Sequence, residues 1–265
     1  MAPRRSQETP DLTSSPAEPC ATLSRMRSHL AGVACLSLAV ALSCNDGGAS
    51  GPLTTLEVAV AGADLAGPLP LIVALHGGGG AGGDLPARIV ELFKEFDVPA
   101  RLVVPRGPHG SIRRRWYSDE RWETMSREVW EDADRVAATI EQASRAHPTL
   151  GRPILIGISG GGGVAMATAI RHPALLQAAV MISGALPSEV SEPVTGVKPK
   201  IWILHGRRDD RMELQWAEAT GQELRKLGFD VQLSILPEAG HAFEGPMRDE
   251  TFRVLRSLIG TAAEG

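Results

Sequence analysis

Cysteine is scarce and confined. The 265-residue chain has three, Cys20, Cys35 and Cys44, and none from Asn45 onward. The remaining four fifths therefore hold no disulfide framework, no thiolate metal site and no cysteine nucleophile. No H-E-x-x-H and no close histidine pair occurs, so a histidine zinc site is not expected. Neither sign of charge dominates. A net charge of −4 leaves no electrostatic footprint for nucleic acid. The one basic cluster, Arg113-Arg114-Arg115, reads first as a solvated loop and second as a contact for an anionic substrate or lipid headgroup. The longest apolar stretch, Leu30 to Leu42, is too short to span a bilayer comfortably.

That stretch has another use. Arg25, Arg27 and His29 precede it, and Ala41-Leu42-Ser43-Cys44 ends it before polar Asn45-Asp46-Gly47-Gly48. A basic flank, a short apolar core and small residues at the end make an export signal. Its end resembles a bacterial lipobox, with Cys44 as the residue to be lipidated and to tether the protein to a membrane. An ordinary cleaved signal, cut nearer Ala49-Ser50-Gly51, is the alternative, and Met26 competes with Met1 as the start. The expectation is an exported protein: a cell-envelope lipoprotein, or a periplasmic or secreted one. Residues 1–44 then form the leader, 45–53 a flexible tether of small and polar residues, and 54–265 a single folded domain.

Within that domain, short apolar runs alternate with helical periodicity. Strands are expected at 54–61, 69–75, 101–105, 153–158, 178–182, 200–204 and 231–236. Helices are expected at about 84–96, 126–146, 161–171, 213–227 and 246–259, with Asp84 capping the first and a long loop over 105–126. Alternation of this kind implies a mostly parallel central sheet with helices on both faces.

Four segments just past strand ends carry the chemistry, where open α/β sheets gather their ligands. Gly157-Ile158-Ser159-Gly160-Gly161 is a G-x-S-x-G turn from a strand into a helix. It exposes a hydroxyl at the apex, and the Gly160 N–H and the helix dipole are available to an oxyanion. His76-Gly77-Gly78-Gly79-Gly80 can turn backbone N–H groups inward, with Gly78 as second oxyanion donor and Gly77 or Gly79 as rivals. His205-Gly206-Arg207-Arg208-Asp209-Asp210 offers an acid to orient an imidazole, and Asp209 and Asp210 compete for the role. Gly240-His241 follows the last strand and supplies that imidazole. The chain order Ser159, acid, His241 is the one this architecture requires. His76 and His205 read as orienting their own loops, and His147 and His172 as helix-end residues.

These residues resemble the α/β-hydrolase superfamily, and within it the phospholipase/carboxylesterase branch that includes the acyl-protein thioesterases. The likeness runs from about Leu69 to Ile259 and rests on His76-Gly77, Gly157-x-Ser159-x-Gly161-Gly162, His205-Gly206-x-x-Asp209 and Gly240-His241. It implies an α/β-hydrolase fold and a cofactor-free, metal-free hydrolase of small-molecule carboxylic esters. The implied triad is Ser159, Asp209 and His241, since the H-G-x-x-D spacing selects Asp209. It also implies that Trp116 and Tyr117 stand beside the substrate pocket, with His109 a further candidate in the same loop. Two departures bear on substrate preference: no polar residue follows the serine, and the first loop is unusually rich in glycine. A prolyl-oligopeptidase-like peptidase and a non-catalytic binding lipoprotein are the alternatives. Mass spectrometry of the mature N-terminus checks the leader. We expect a diacylglyceryl-modified Cys44, and an intact, unmodified leader would contradict export.

Overall fold

The computed structural model describes residues 51–78, 84–110, 115–118, 122–187, 190 and 194–262. The leader, Cys44, most of the expected tether, Gly79 and two of the three clustered arginines, Arg113 and Arg114, lie outside them. Seven strands are present: β1 (Thr55–Val60), β2 (Leu71–Leu75), β3 (Ala100–Pro105), β4 (Ile154–Ile158), β5 (Ala178–Ile182), β6 (Lys200–Gly206) and β7 (Val231–Leu236). They form one sheet in the order β1-β3-β2-β4-β5-β6-β7. Every neighbouring pair is parallel except β1 with β3. Five helices connect or flank them: α1 (Leu85–Leu92), α2 (Trp122–Ala146), α3 (Gly160–Arg171), α4 (Leu214–Lys226) and α5 (Gly245–Ala262).

Strand alternation sorts the core into two layers. Leu71, Val73 and Leu75 of β2 pack with residues of α2, α3 and α4, among them Val136, Val164 and Leu224. Ile72 and Ala74 point the other way, onto Ile89 of α1 and Phe252 of α5. Successive side chains leave opposite faces of a strand, so a fully apolar strand needs helices on both sides. β2, β4 and β5 are buried along their whole length. The expected mostly parallel sheet with helices on both faces is what forms.

Boundaries differ for identifiable reasons. Asp84 does cap α1, accepting from the Ala87 N–H at 3.3 Å. However, α1 stops at Leu92 and a 3-10 turn takes Phe93–Glu95, which swings Phe93 and Phe96 into the core. The long loop is shorter than expected, because α2 starts at Trp122 rather than near Ser126. Leu53, the last residue of the expected tether, is buried, and its N–H donates to Thr139 of α2 at 2.8 Å. At the sheet edge, fully buried Arg101 of β3 pairs with Glu57 of β1 and donates to the Leu65 carbonyl at 2.7 Å. A buried cation is tolerated there because both partners compensate for its lost hydration.

Phe93, Phe96, Phe243 and Phe252 form a ring cluster under the α1–α5 face, with Phe252 5.3 Å from Phe93 and 5.1 Å from Phe96. Phe252→Ala would leave a cavity in a layer that cannot collapse. We expect a loss of about 3–5 kcal/mol, read as a lower urea midpoint with an unchanged m-value.

Candidate active site

Ser159 occupies the single residue between β4 and α3, with φ 53° and ψ −119°. A non-glycine residue held there costs about 1–3 kcal/mol and persists only when its surroundings determine it. They do. The Ser159 N–H donates to the Ile182 carbonyl and the Gly162 N–H donates to the Ser159 carbonyl, both at 2.8 Å. A Cβ on Gly157 would run into the Gly161 backbone, and one on Gly161 would lie 2.5 Å from the His76 carbonyl oxygen. Bare backbone is what lets α3 fold back so close to β4 and β2.

Asp209 and His241 follow the ends of β6 and β7. Arg207 N–H donates to the Leu236 carbonyl at 2.9 Å and Arg208 N–H to the Ala239 carbonyl at 3.0 Å, which stitches the two loops together. Gly206 lies against the backbone of Ala239 and Gly240, where a Cβ would not fit. His241 Nδ1 is then 3.0 and 2.9 Å from the two Asp209 carboxylate oxygens. On its other side, Nε2 is 3.1 Å from Ser159 Oγ. Burial alone would raise the Asp209 carboxyl. The Met212 and Arg211 N–H groups and the His241 ring outweigh it and hold the acid below its ordinary value. An ionised carboxylate only accepts, so Nδ1 carries the proton and Nε2 faces the hydroxyl as an acceptor. Of the two aspartates left open by the residue pattern, Asp209 meets the imidazole, while Asp210 lines a cavity nearby. His205 donates from Nε2 to the Met212 carbonyl at 2.8 Å, so it braces the acid loop from inside.

Two cavities meet at Ser159. One, of about 480 Å³, is mostly apolar and includes Tyr117, Met125, Gly160, Met212 and Trp216. The other, of about 530 Å³, includes Gly78, Arg88, Ile89, Asp210 and His241. Gly77 adjoins Ser159: a Cβ on it would lie 3.3 Å from the Ser159 Cβ. Tyr117 lines the first cavity, whereas Trp116 lines neither. Trp116 is fully buried behind the cavities, 5.2 Å from the His76 ring, and its Nε1 donates to the His76 carbonyl at 2.7 Å. Its indole anchors the loop instead of touching a substrate.

His109 also lies away from both cavities. Its Nε2 is 3.2 Å from Asp132 Oδ2 of α2, an ion pair not aligned as a hydrogen bond. Next to it, Glu128 of α2 accepts from the Ser118 N–H at 2.5 Å and from its hydroxyl at 2.6 Å. These two buried acids went unnoticed in the sequence. Their signal was there: Glu128 and Asp132 flank Val129 and Ala133 on the apolar stripe of α2, where a carboxylate needs a partner. Met125, Arg211, Met212 and Trp216 were missed too, because cavity walls drawn from separate loops leave no local pattern. Among the described residues, no group of three or more His, Cys, Asp or Glu could hold a metal ion.

Comparison with known proteins points one way. The chain matches the family model described as phospholipase/carboxylesterase over residues 63–252. It is 24% identical over 203 residues to a probable carboxylesterase of Oryza sativa subsp. japonica, covering 70% of this chain and 85% of the rice protein. Among solved structures, esterase PE8 superposes with a TM-score of 0.64 at 25% identity, covering 78% of this chain and 99% of that one. Acyl-protein thioesterase 2 of Zea mays gives 0.58 at 20% identity, covering 77% and 98%. The maize likeness speaks for the α/β-hydrolase fold alone.

The loop carrying Tyr117 hangs on two histidines of opposite behaviour. His76 Nδ1 donates to the Gly77 carbonyl at 2.8 Å and Nε2 accepts from the Gly107 N–H at 3.0 Å, so the ring must be neutral. Burial lowers its pKa below the ordinary 6.5. The Asp132 carboxylate instead raises His109 above 6.5. Between the lowered His76 value and 6.5 the unfolded chain binds more protons, so the His76 contribution is lost as pH falls. Above 6.5 the folded chain holds the His109 proton more tightly, so that contribution is lost as pH rises through the raised value. His109→Gln should remove the loss that sets in as pH rises through the raised His109 value, read in urea midpoints collected above pH 6.5.

Proposed function

The chain belongs to the phospholipase/carboxylesterase family, and from that premise we propose that it hydrolyses carboxylic esters through Ser159, His241 and Asp209. The observation that carries this reading is the unbroken relay: hydroxyl to imidazole at 3.1 Å, imidazole to carboxylate at 2.9 Å. The Ser159 oxygen attacks the acyl carbon while His241 Nε2 takes its proton. Asp209 keeps the ring in the competent tautomer and stabilises the imidazolium. The N–H groups of Gly160 and Gly78 hold the tetrahedral oxyanion, where donors fixed in advance do most for the rate. His241 then passes its proton to the departing alkoxide, leaving an acyl-enzyme that water cleaves by the same steps in reverse.

Geometry also orders the substrate. The leaving oxygen must be reached by His241 Nε2, and His241 lines the larger cavity. The alcohol half therefore occupies that side, and the acyl half the more apolar cavity between Tyr117, Met125 and Trp216. Short or water-soluble esters suit this site. Export with lipidation at Cys44 belongs to the same proposal, supported by the basic flank and apolar core of the leader.

A fluorophosphonate probe tests the nucleophile. Wild type should label, and Ser159→Ala should lose both labelling and about 10⁴-fold or more of nitrophenyl-ester hydrolysis. Asp209→Asn should keep the fold and lose about 10⁴-fold in kcat. Labelling that survives Ser159→Ala would refute the assignment. Cleavage of aminoacyl anilides in preference to esters would make the enzyme a peptidase.

A further inference from the structure

Tyr117 is the chain's sole tyrosine, and its phenol oxygen stands against both glycines given to the oxyanion. A Cβ on Gly78 would lie 3.2 Å from that oxygen, and one on Gly160 would lie 3.3 Å from it and 3.0 Å from Cε1. A Cβ sits about 2.5 Å from its own amide nitrogen, so the hydroxyl is within about 6 Å of both nitrogens. An oxyanion bonded to the two amides at about 2.9 Å each occupies the gap these groups border. Tyr117, Ser159 and Gly160 line the same cavity.

Rigidity argues for more than a wall. Trp116, on one side, is fully buried and tied to the His76 carbonyl at 2.7 Å. Ser118, on the other, is held twice by Glu128, at 2.5 and 2.6 Å. His76 in turn holds Gly107 at the start of the same loop and belongs to the segment that carries Gly77 and Gly78. The tyrosine is thus clamped at both neighbouring residues and referenced to the oxyanion loop itself. Donors fixed before the reaction, with no reorganisation left to make, are what transition-state stabilisation requires.

We propose that the Tyr117 hydroxyl is a third hydrogen-bond donor to the oxyanion, beside the N–H groups of Gly78 and Gly160, and so a catalytic residue. The assignment rests on the serine-esterase reading above. The phenol keeps its proton throughout; it donates a hydrogen bond as charge develops on the carbonyl oxygen and relaxes when the acyl-enzyme forms. This role also accounts for glycine at both 78 and 160, since a side chain at either would displace the hydroxyl.

Tyr117→Phe removes one oxygen and leaves the ring. With wild type active, we expect kcat to fall about 10²-fold, with KM little changed. The loss should be equal for acetyl and hexanoyl esters of one alcohol, because every ester makes the same oxyanion. An unchanged kcat, or a loss confined to KM or to one acyl length, would overturn the proposal and make Tyr117 a pocket wall. A second measurement does not depend on how the Phe variant folds. Biosynthetic replacement by a polyfluorinated tyrosine alters this one residue and brings phenol ionisation toward neutral pH. A phenolate cannot donate and repels the oxyanion, so kcat should gain a descending limb at the lowered phenol pKa that the ordinary enzyme lacks. Absence of that limb would also overturn the proposal. If wild type neither labels with fluorophosphonate nor cleaves any ester, the esterase reading fails and takes this one with it. A Tyr117→Phe enzyme with the kcat of an active wild type sinks this one alone.

Discussion

The geometry around Ser159 depends on a steric constraint at one turn: α3 must leave β4 with no side chain at the positions two residues before and after Ser159. Gly157 and Gly161 meet across that turn, and the serine accepts a positive φ so that its hydroxyl projects above the sheet edge. The cost spreads into the helix. Its first four residues are all glycine, each about 1 kcal/mol worse than alanine in a helix interior. The helix forms because it is buried almost from end to end, with Gly162 and Gly163 packed against Met181, Gly184 and Ala185. Tertiary packing overrides propensity here, and the site depends on that override.

From this turn outward, the remaining groups are placed by backbone stitching rather than by long side chains. The acid and base loops share two backbone hydrogen bonds and a close approach at Gly206. His76 joins the strand end after β2 to Gly107, and its carbonyl holds Trp116. One neutral imidazole thereby coordinates the His76–Gly78 segment with the loop that carries Tyr117. The arrangement is stitched around Ser159 and open into the two cavities that meet there.

Much of this was legible in the residues. Continuous apolar runs such as Leu71–Leu75 and Ile154–Ile158 admit little besides strands covered on both faces, and they form them. The four strand-end segments were recognisable because turns with severe steric demands accept few residue types. Less was legible where identity does not imply direction. Trp116 and Tyr117 are adjacent and both aromatic, yet one is sealed in the core and the other faces the cavity. The bond from Trp116 Nε1 to the His76 carbonyl fixes which of the two neighbouring rings turns inward. The early end of α1 is a similar case, since the burial of Phe93 and Phe96 goes with it.

By itself, the sequence determined the alternation of strands and helices, the serine turn and the placing of Ser159, Asp209 and His241 just past three strand ends. These follow from local constraints: apolar periodicity, the small residues a sharp turn demands, and the glycines a close backbone approach requires. Only the tertiary structure decided that Trp116 is an anchor and that Tyr117 stands against Gly78 and Gly160. Those outcomes are distances between segments far apart in the chain. They are fixed by how loops pack over a common sheet edge, and no local pattern of residue types encodes them.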